Sequence, residues 1–243
     1  MSSRHARPAP RPAGTAHREP DTWEAREVFD RLLREYGERN WWPADGPFEV
    51  VVGAILTQNA AWTNVEKALS NLRQAGVWSV RSVYHAEQDR LAHLVRPSGY
   101  FNQKARKLKE FARVVMFEHG GDLQDMLALP MDTLRERLLA IWGIGEETAD
   151  DIVLYAAGQP SFVIDAFTRR IVDRLGWKVA GNRYPDYQRL FTERLPVDVQ
   201  LYNEYHALLD KHAQKTCAPR PACERCCLLD ICVTGQSNTG EGA

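Results

Sequence analysis

Apolar residues recur every three or four positions along most of this chain, and no segment alternates with the two-residue period of a half-buried strand. Trp23, Val28, Phe29, Leu32, Leu33 and Tyr36 keep helical spacing, and Gly37 follows as a stop. Residues 48–56 are apolar apart from Glu49 and Gly53, the pattern of a buried helix. Thr63 with Glu66 reads as a capping box ahead of Val65, Ala68, Leu69 and Leu72. Residues 102–117 carry Ala105, Leu108, Phe111, Ala112, Val115 and Met116 on one side and Lys104, Arg106, Lys107, Lys109 and Arg113 on the other. Thr133 with Glu136 predicts a further helix start, Asp165 opens a helix through Leu175, and residues 184–195 and 199–215 predict two more. The predicted class is all-α with short connections, without a repeat of 20–50 residues.

Composition narrows the class of protein. The chain has 243 residues, 44% hydrophobic and 26% charged, enough for one large domain or two modest lobes. No apolar run reaches the roughly 18 residues of a membrane span. Residues 1–20 hold Arg4, Arg7, Arg11 and Arg18 against Glu19, with four prolines and little that is apolar. They predict a disordered basic tail rather than a secretory signal, and so a cytoplasmic, nucleoid-associated protein. A net charge of −1 excludes a binder that covers nucleic acid by bulk charge, though not a local basic face.

The densest chemistry lies near the C-terminus. Cys217, Cys223, Cys226 and Cys232 are spaced C-x5-C-x2-C-x5-C, with Cys227 the one other cysteine. Short loops bring four thiols round one centre at small entropic cost. Disulfides would need an oxidising compartment, for which there is no sign. Tetrahedral zinc and a [4Fe-4S] cluster both use four thiolates, and spacing alone separates them poorly.

A second signal is the turn Trp142-Gly143-Ile144-Gly145 between two predicted helices. Two glycines allow a sharp turn with exposed N–H groups, while Ile144 can plug the core. Amides at the start of the following helix can hold a phosphate without reading sequence. Eighteen residues after Glu147 comes Asp165, behind the apolar Val163-Ile164. Asp165 reads as an N-cap and also as a partly buried carboxylate aimed into a cleft.

Gly143-Ile144-Gly145, Val163-Ile164-Asp165 and the four-cysteine loop together resemble the helix-hairpin-helix DNA glycosylase superfamily, nearest its endonuclease III branch, over about residues 41–232. The resemblance implies two helical lobes with a DNA cleft between them. Residues 40–159 would form a helical barrel containing the helix-hairpin-helix at 132–158, and residues 21–39 and 160–235 would form the iron–sulfur lobe. It favours a [4Fe-4S] cluster on Cys217, Cys223, Cys226 and Cys232. The loop departs from the family in having five residues between the first two cysteines, where many relatives have six, and in placing Cys227 where relatives usually have proline.

Glu147 stands where bifunctional members carry the lysine that forms a Schiff base with the sugar. A carboxylate cannot do so, and the expected lyase step is weak or absent. Asp165 matches the family's catalytic aspartate, which stabilises charge on the sugar and orients water. Trp41-Trp42-Pro43, Trp62 and Glu147 are similar to the 3-methyladenine glycosylase branch, where Trp41, Trp42 and Trp62 would hold a flipped base. Gln58 and Asn59 would plug the gap left in the duplex, and Tyr100 and Phe101 would wedge it. Lys104, Lys211, Lys215 and Arg220 would face phosphates. The expectation is a monomeric, monofunctional glycosylase acting on double-stranded DNA with damaged bases. An endonuclease III-type glycosylase/lyase for oxidised pyrimidines and a non-catalytic binder of damaged or abasic DNA are the alternatives.

Overall fold

The computed structural model describes residues 22–240, so the predicted basic tail lies outside the described residues. Among them there are helices and no strands, as the three-to-four-residue periodicity requires. In chain order they are α1 (Thr22–Tyr36), α2 (Pro47–Thr57), α3 (Trp62–Gln74), α4 (Val80–His85), α5 (Gln88–Leu94), α6 (Phe101–Glu118), α7 (Leu123–Leu127), α8 (Met131–Ala140), α9 (Glu146–Asp151), α10 (Ala166–Leu175), α11 (Tyr184–Thr192), α12 (Val199–Lys215) and α13 (Val233–Thr239). None of the described helices is long and apolar enough to cross a membrane.

Local chemistry sets most helix ends. Asp165 caps α10 by accepting the Thr168 N–H at 2.6 Å, and Gly176 ends that helix at φ 79°. Asp198 caps α12 in the same way through Leu201. Two predicted starts need correction. Ala61 is extended and Trp62 is the first residue of α3, so Thr63 lies inside the helix and caps nothing. Pro130 precedes α8, which begins at Met131, so Thr133 is likewise internal. In both, the helix starts one or two residues before the polar side chain that suggested it, and the capping box is not formed.

The helices enclose two apolar cores. The first gathers α2, α3 and α6 with Ile144, Ala149, Ile152 and Val153. The second joins Ala25, Val28, Phe29 and Leu32 of α1 to Leu154, the segment 162–164, α10, α11, α12 and Leu228. At its centre Phe162 stacks on Phe191 with centroids 4.1 Å apart, and Tyr202 and Tyr205 meet Phe162 edge-on. The chain passes from one core to the other through residues 152–156, a π-helical turn that continues α9. Such a turn admits one extra residue into the helical ladder and recurs at functional sites.

A buried carboxylate ties the two halves at this crossing. Asp150 is fully buried and accepts from Arg135 Nε at 2.7 Å and Nη2 at 3.1 Å, from Ser161 at 2.6 Å and from Gln188 at 3.1 Å. Its donors come from α8, the 157–165 connection and α11. A buried charge survives only with such a full set of partners.

Candidate active site

The hairpin between α8 and α9 follows its sequence pattern. Gly143 takes φ 85°, and a Cβ there would lie 2.6 Å from the Lys107 side chain, so only glycine fits. Ile144 is buried in the first core, whereas Trp142 stays 44% exposed with the Arg106 guanidinium 3.9 Å above its ring. Gln58, from the end of α2, donates to Thr148 Oγ1 at 2.8 Å and Gly143 O at 3.4 Å, and accepts from Lys107 Nζ. Gln58 therefore ties α2 and α6 to the hairpin. Its neighbour Asn59 is exposed and left-handed at φ 52°.

Past the hairpin, Glu147, Asp151 and Tyr155 succeed one another at four-residue steps on α9 and its π-turn. Glu147 meets solvent, yet the protein packed round its carboxyl pushes its pKa up to about 7, with the Asp165 charge adding and Arg169 opposing. Asp151 is buried, and desolvation first, then Glu147, Asp165 and Asp150, raise it well above the usual carboxylate range. Asp165, at the start of α10, has its Oδ1 fixed by the Thr168 N–H. Its Oδ2 faces His206 Nε2 of α12 at 3.9 Å. Tyr155 is 2.7 Å from the other imidazole nitrogen of His206 and packs against Trp42, centroids 5.3 Å apart.

The predicted aromatic residues do meet. Trp41, Trp42 and Trp62 form a triangle with centroid separations of 5.3–5.5 Å, and the Trp41–Trp42 peptide is cis. All three are partly exposed, and a Cβ on Gly53 would stand 3.0 Å from the Trp42 ring, so α2 offers the indole a bare backbone. The structure thus connects the tryptophan cluster through Tyr155 and His206 to Asp165.

The segment before α6 divides the expectations for it. Tyr100 sits at φ 43° and is 68% exposed, free to reach outward, while Phe101 is half-buried with Arg96 over its ring at 5.8 Å. Lys104 departs from the sequence reading. It is 2% exposed, and its Nζ donates to Leu56 O at 2.8 Å and Ser98 O at 2.6 Å. Burial, with Lys107 nearby, pushes it down to about 8. It closes the open carbonyl ends of α2 and the 96–98 turn and does not face a phosphate. Contrary to its expected place among the cations of the polar side, it stands one turn before Leu108 at the edge of the apolar face, where a long stem turns inward.

Among the described residues no three His, Cys, Asp or Glu side chains are grouped to hold a single metal ion. One cavity is nonetheless lined by Cys217, Cys223, Cys226 and Cys232, and Cys227 is not part of its wall. Each of the four sulfurs has an N–H group beside it: Arg174 at 3.2 Å from Cys217, Asn238 at 3.4 Å from Cys223, Leu228 at 3.4 Å from Cys226 and Gly235 at 3.3 Å from Cys232. Donors of this kind suit thiolates. Burial holds the Cys226 thiol up at about 12 and also raises Cys232, so four thiolates here need a compensating positive centre. Around the loop, Lys215 and Arg220 are exposed and Lys211 is half-buried.

Residues 52–196 match the family described as HhH-GPD superfamily base excision DNA repair protein. The chain belongs to this family. A putative DNA repair glycosylase of Methanocaldococcus jannaschii is 40% identical over 210 residues, covering 86% of this chain and 95% of its own. Endonuclease III of Sulfolobus acidocaldarius is 32% identical over 76% of this chain and 81% of its own. Among solved structures, the 3-methyladenine DNA glycosylase of H. pylori bound to 1,N6-ethenoadenine superposes with a TM-score of 0.68 at 26% identity, over 81% of this chain and 98% of that one. An endonuclease III trapped covalently on DNA superposes with a TM-score of 0.79 at 20% identity, over 90% of this chain and 99% of that one, and so shares the fold.

This HhH-GPD protein is therefore a DNA glycosylase of base excision repair, with DNA as its substrate. Asp151, Tyr155 and His206 are the residues of this candidate site that sequence reasoning missed. The signal was present for the first two, which repeat Glu147 at helical steps along one face. Nothing local marks His206, which reaches Asp165 from a helix about forty residues away in the chain.

Proposed function

We propose that this glycosylase is monofunctional and removes alkylated purines such as 3-methyladenine. The observation that carries the reading is the pairing of Glu147, at the position of the Schiff-base lysine, with a triangle of tryptophans linked to Asp165. A base carrying a positive charge gains from aromatic faces and from a nearby carboxylate. It also leaves readily, because breaking its bond to C1′ returns the electron pair to the ring and neutralises it. Water then adds to C1′ and gives up a proton. Asp165 Oδ2, the oxygen left free by the cap, stabilises the positive sugar and orients that water. Lys104 supplies no substitute amine, since its Nζ is engaged by two carbonyls. The similarity to the H. pylori 3-methyladenine glycosylase supports the same substrate class.

Tyr100 fits the role of wedge and Asn59 that of plug, both being exposed at left-handed turns. The hairpin 142–145 would take a phosphate, with Lys215 and Arg220 on the cluster side adding contacts. Cys217, Cys223, Cys226 and Cys232 would hold a [4Fe-4S] cluster, which supplies positive charge to the thiolates and folds the loop round itself. The protein acts as a monomer.

The test is base release from alkylated duplex DNA by wild type, Asp165→Asn and Glu147→Lys. The expected result is free 3-methyladenine without strand breaks from wild type and none from Asp165→Asn. Strand breaks with borohydride trapping by wild type would replace the reading with a lyase, and tight binding without product would replace it with a lesion binder.

A further inference from the structure

We infer that His206 is a positioning residue for Asp165, with Tyr155 fixing its tautomer and coupling it to the aromatic pocket. The inference rests on the reading of Asp165 as the group that acts on the sugar. His206 is only 8% exposed, and its Nε2 is a buried polar atom with no hydrogen-bond partner. Such an atom costs free energy unless the structure uses it. The carboxylate it faces is Asp165, through Oδ2 at 3.9 Å, slightly too far for a hydrogen bond. Oδ1 of the same carboxylate is taken by the Thr168 N–H at 2.6 Å. One oxygen is thus locked by the helix start, and the one left for the sugar is addressed by the imidazole.

Tyr155 decides which nitrogen carries the proton. Its hydroxyl is 2.7 Å from His206 Nδ1. An acceptor carboxylate faces Nε2 and a hydroxyl that can donate faces Nδ1, so the arrangement that satisfies both has the phenol give its hydrogen to Nδ1. Nδ1 then accepts, and the imidazole proton sits on Nε2, pointing at Asp165. Asp210, one turn further along α12, lends negative charge near the imidazole, but its Oδ2 is engaged by Gln214 at 2.8 Å. The ring of Tyr155 packs on Trp42 at 5.3 Å, so a base entering the tryptophan cluster presses on the group that orients His206. Catalytic hydrogen bonds of this length in a free enzyme close on substrate binding. The Nε2–H then holds Oδ2 in the orientation that meets the developing charge at C1′.

The experiment compares wild type, His206→Leu, His206→Gln, Tyr155→Phe and Asp165→Asn in single-turnover base release from methylated duplex, beside affinity for the same duplex. His206→Leu is expected to slow release about 10- to 100-fold, less than the ~100- to 1,000-fold cost of deleting a donor that touches the reacting centre. Affinity stays within about twofold. His206→Gln, whose side-chain amide still offers N–H to Oδ2, restores at least part of the rate, which a purely structural role would not predict. Wild-type rate in His206→Leu, with Asp165→Asn inactive, overturns the inference and leaves the reading of Asp165 standing. Full release by Asp165→Asn overturns that reading itself. A second measurement needs no substrate. Spectra of 15N-histidine protein should show His206 protonated on Nε2, with a resonance that moves in Asp165→Asn. Protonation on Nδ1 alone would overturn the inference whatever lesion the enzyme prefers.

Discussion

Replacing Arg135 by methionine removes the guanidinium that pairs with a fully buried carboxylate. In the folded protein Asp150 accepts two hydrogen bonds from Arg135, at 2.7 and 3.1 Å, and is 0% exposed. Methionine keeps much of the stem's volume but leaves Asp150 with the side chains of Ser161, Gln188 and Tyr184 as donors. Breaking a buried ion pair from one side costs about 3–5 kcal/mol, since the remaining charge stays desolvated. The Arg135 side chain is 25% exposed, so water screens part of the attraction, and the surviving donors offset more. The lower end, about 3 kcal/mol, is the expected loss. For a protein of this length that corresponds to a fall in Tm of roughly 6–12 °C. Urea unfolding followed by tryptophan fluorescence measures it. Arg135→Met combined with Asp150→Asn should lose less than Arg135→Met alone, because the amide carries no charge to strand. A loss below about 1 kcal/mol for Arg135→Met, or strictly additive losses, would refute the reasoning.

Glu147→Gln tests the raised carboxylate through stability. The ordinary value is 4.5 and the folded value about 7, so the unfolded chain releases this proton first and stability falls as pH climbs between them. The Tm advantage of Glu147→Gln over wild type should therefore grow from pH 4.5 to 7 and then level off, and a difference independent of pH would exclude the shift. Lys104→Met loses two buried hydrogen bonds, for a cost of about 1–3 kcal/mol in denaturant melts. Its affinity for damaged duplex should keep the wild-type salt slope, whereas a slope smaller by about one would mean that Lys104 reaches a phosphate. Tyr100→Ala should leave Tm almost unmoved, because the side chain is 68% exposed, and slow base release about tenfold. Equal rates would remove Tyr100 from the extrusion step.

Sequence periodicity disclosed the helices well where one face is apolar. The helix after Asp165 and the one over residues 199–215 have the expected ends, because an aspartate marks the start of each. It disclosed short helices poorly. α4, α5, α7 and α13 span five to seven residues, too few for a period to repeat convincingly. Candidate caps misled where a helix starts before its polar residue, as at Thr63 and Thr133. The site was legible where residues lie in one run, as with Gly143, Ile144 and Gly145 or Trp41 and Trp42. It was opaque where chemistry depends on burial. Lys104 looks like surface charge until its stem folds beneath α2, and His206 looks like an ordinary helix residue until α12 packs against α10.

The ten residues of α10 have a consequence for how the protein can be damaged and protected. Asp165 stands at one end, and Arg170 at its middle and Arg174 in its last turn hold the carbonyls of Cys217, Ala218 and Pro219. A helix of this length spans about 15 Å and is nearly incompressible, so its two ends cannot be disordered independently. Whatever firmness the cysteine loop would gain from a bound metal would be handed to the carboxylate, and linkage would make the exchange mutual. If the loop holds the proposed [4Fe-4S] cluster, an enzyme gripping a lesion should then surrender iron to a chelator more slowly than a free one. Under iron scarcity or oxidation, the copies preserved longest would be those already at work on DNA.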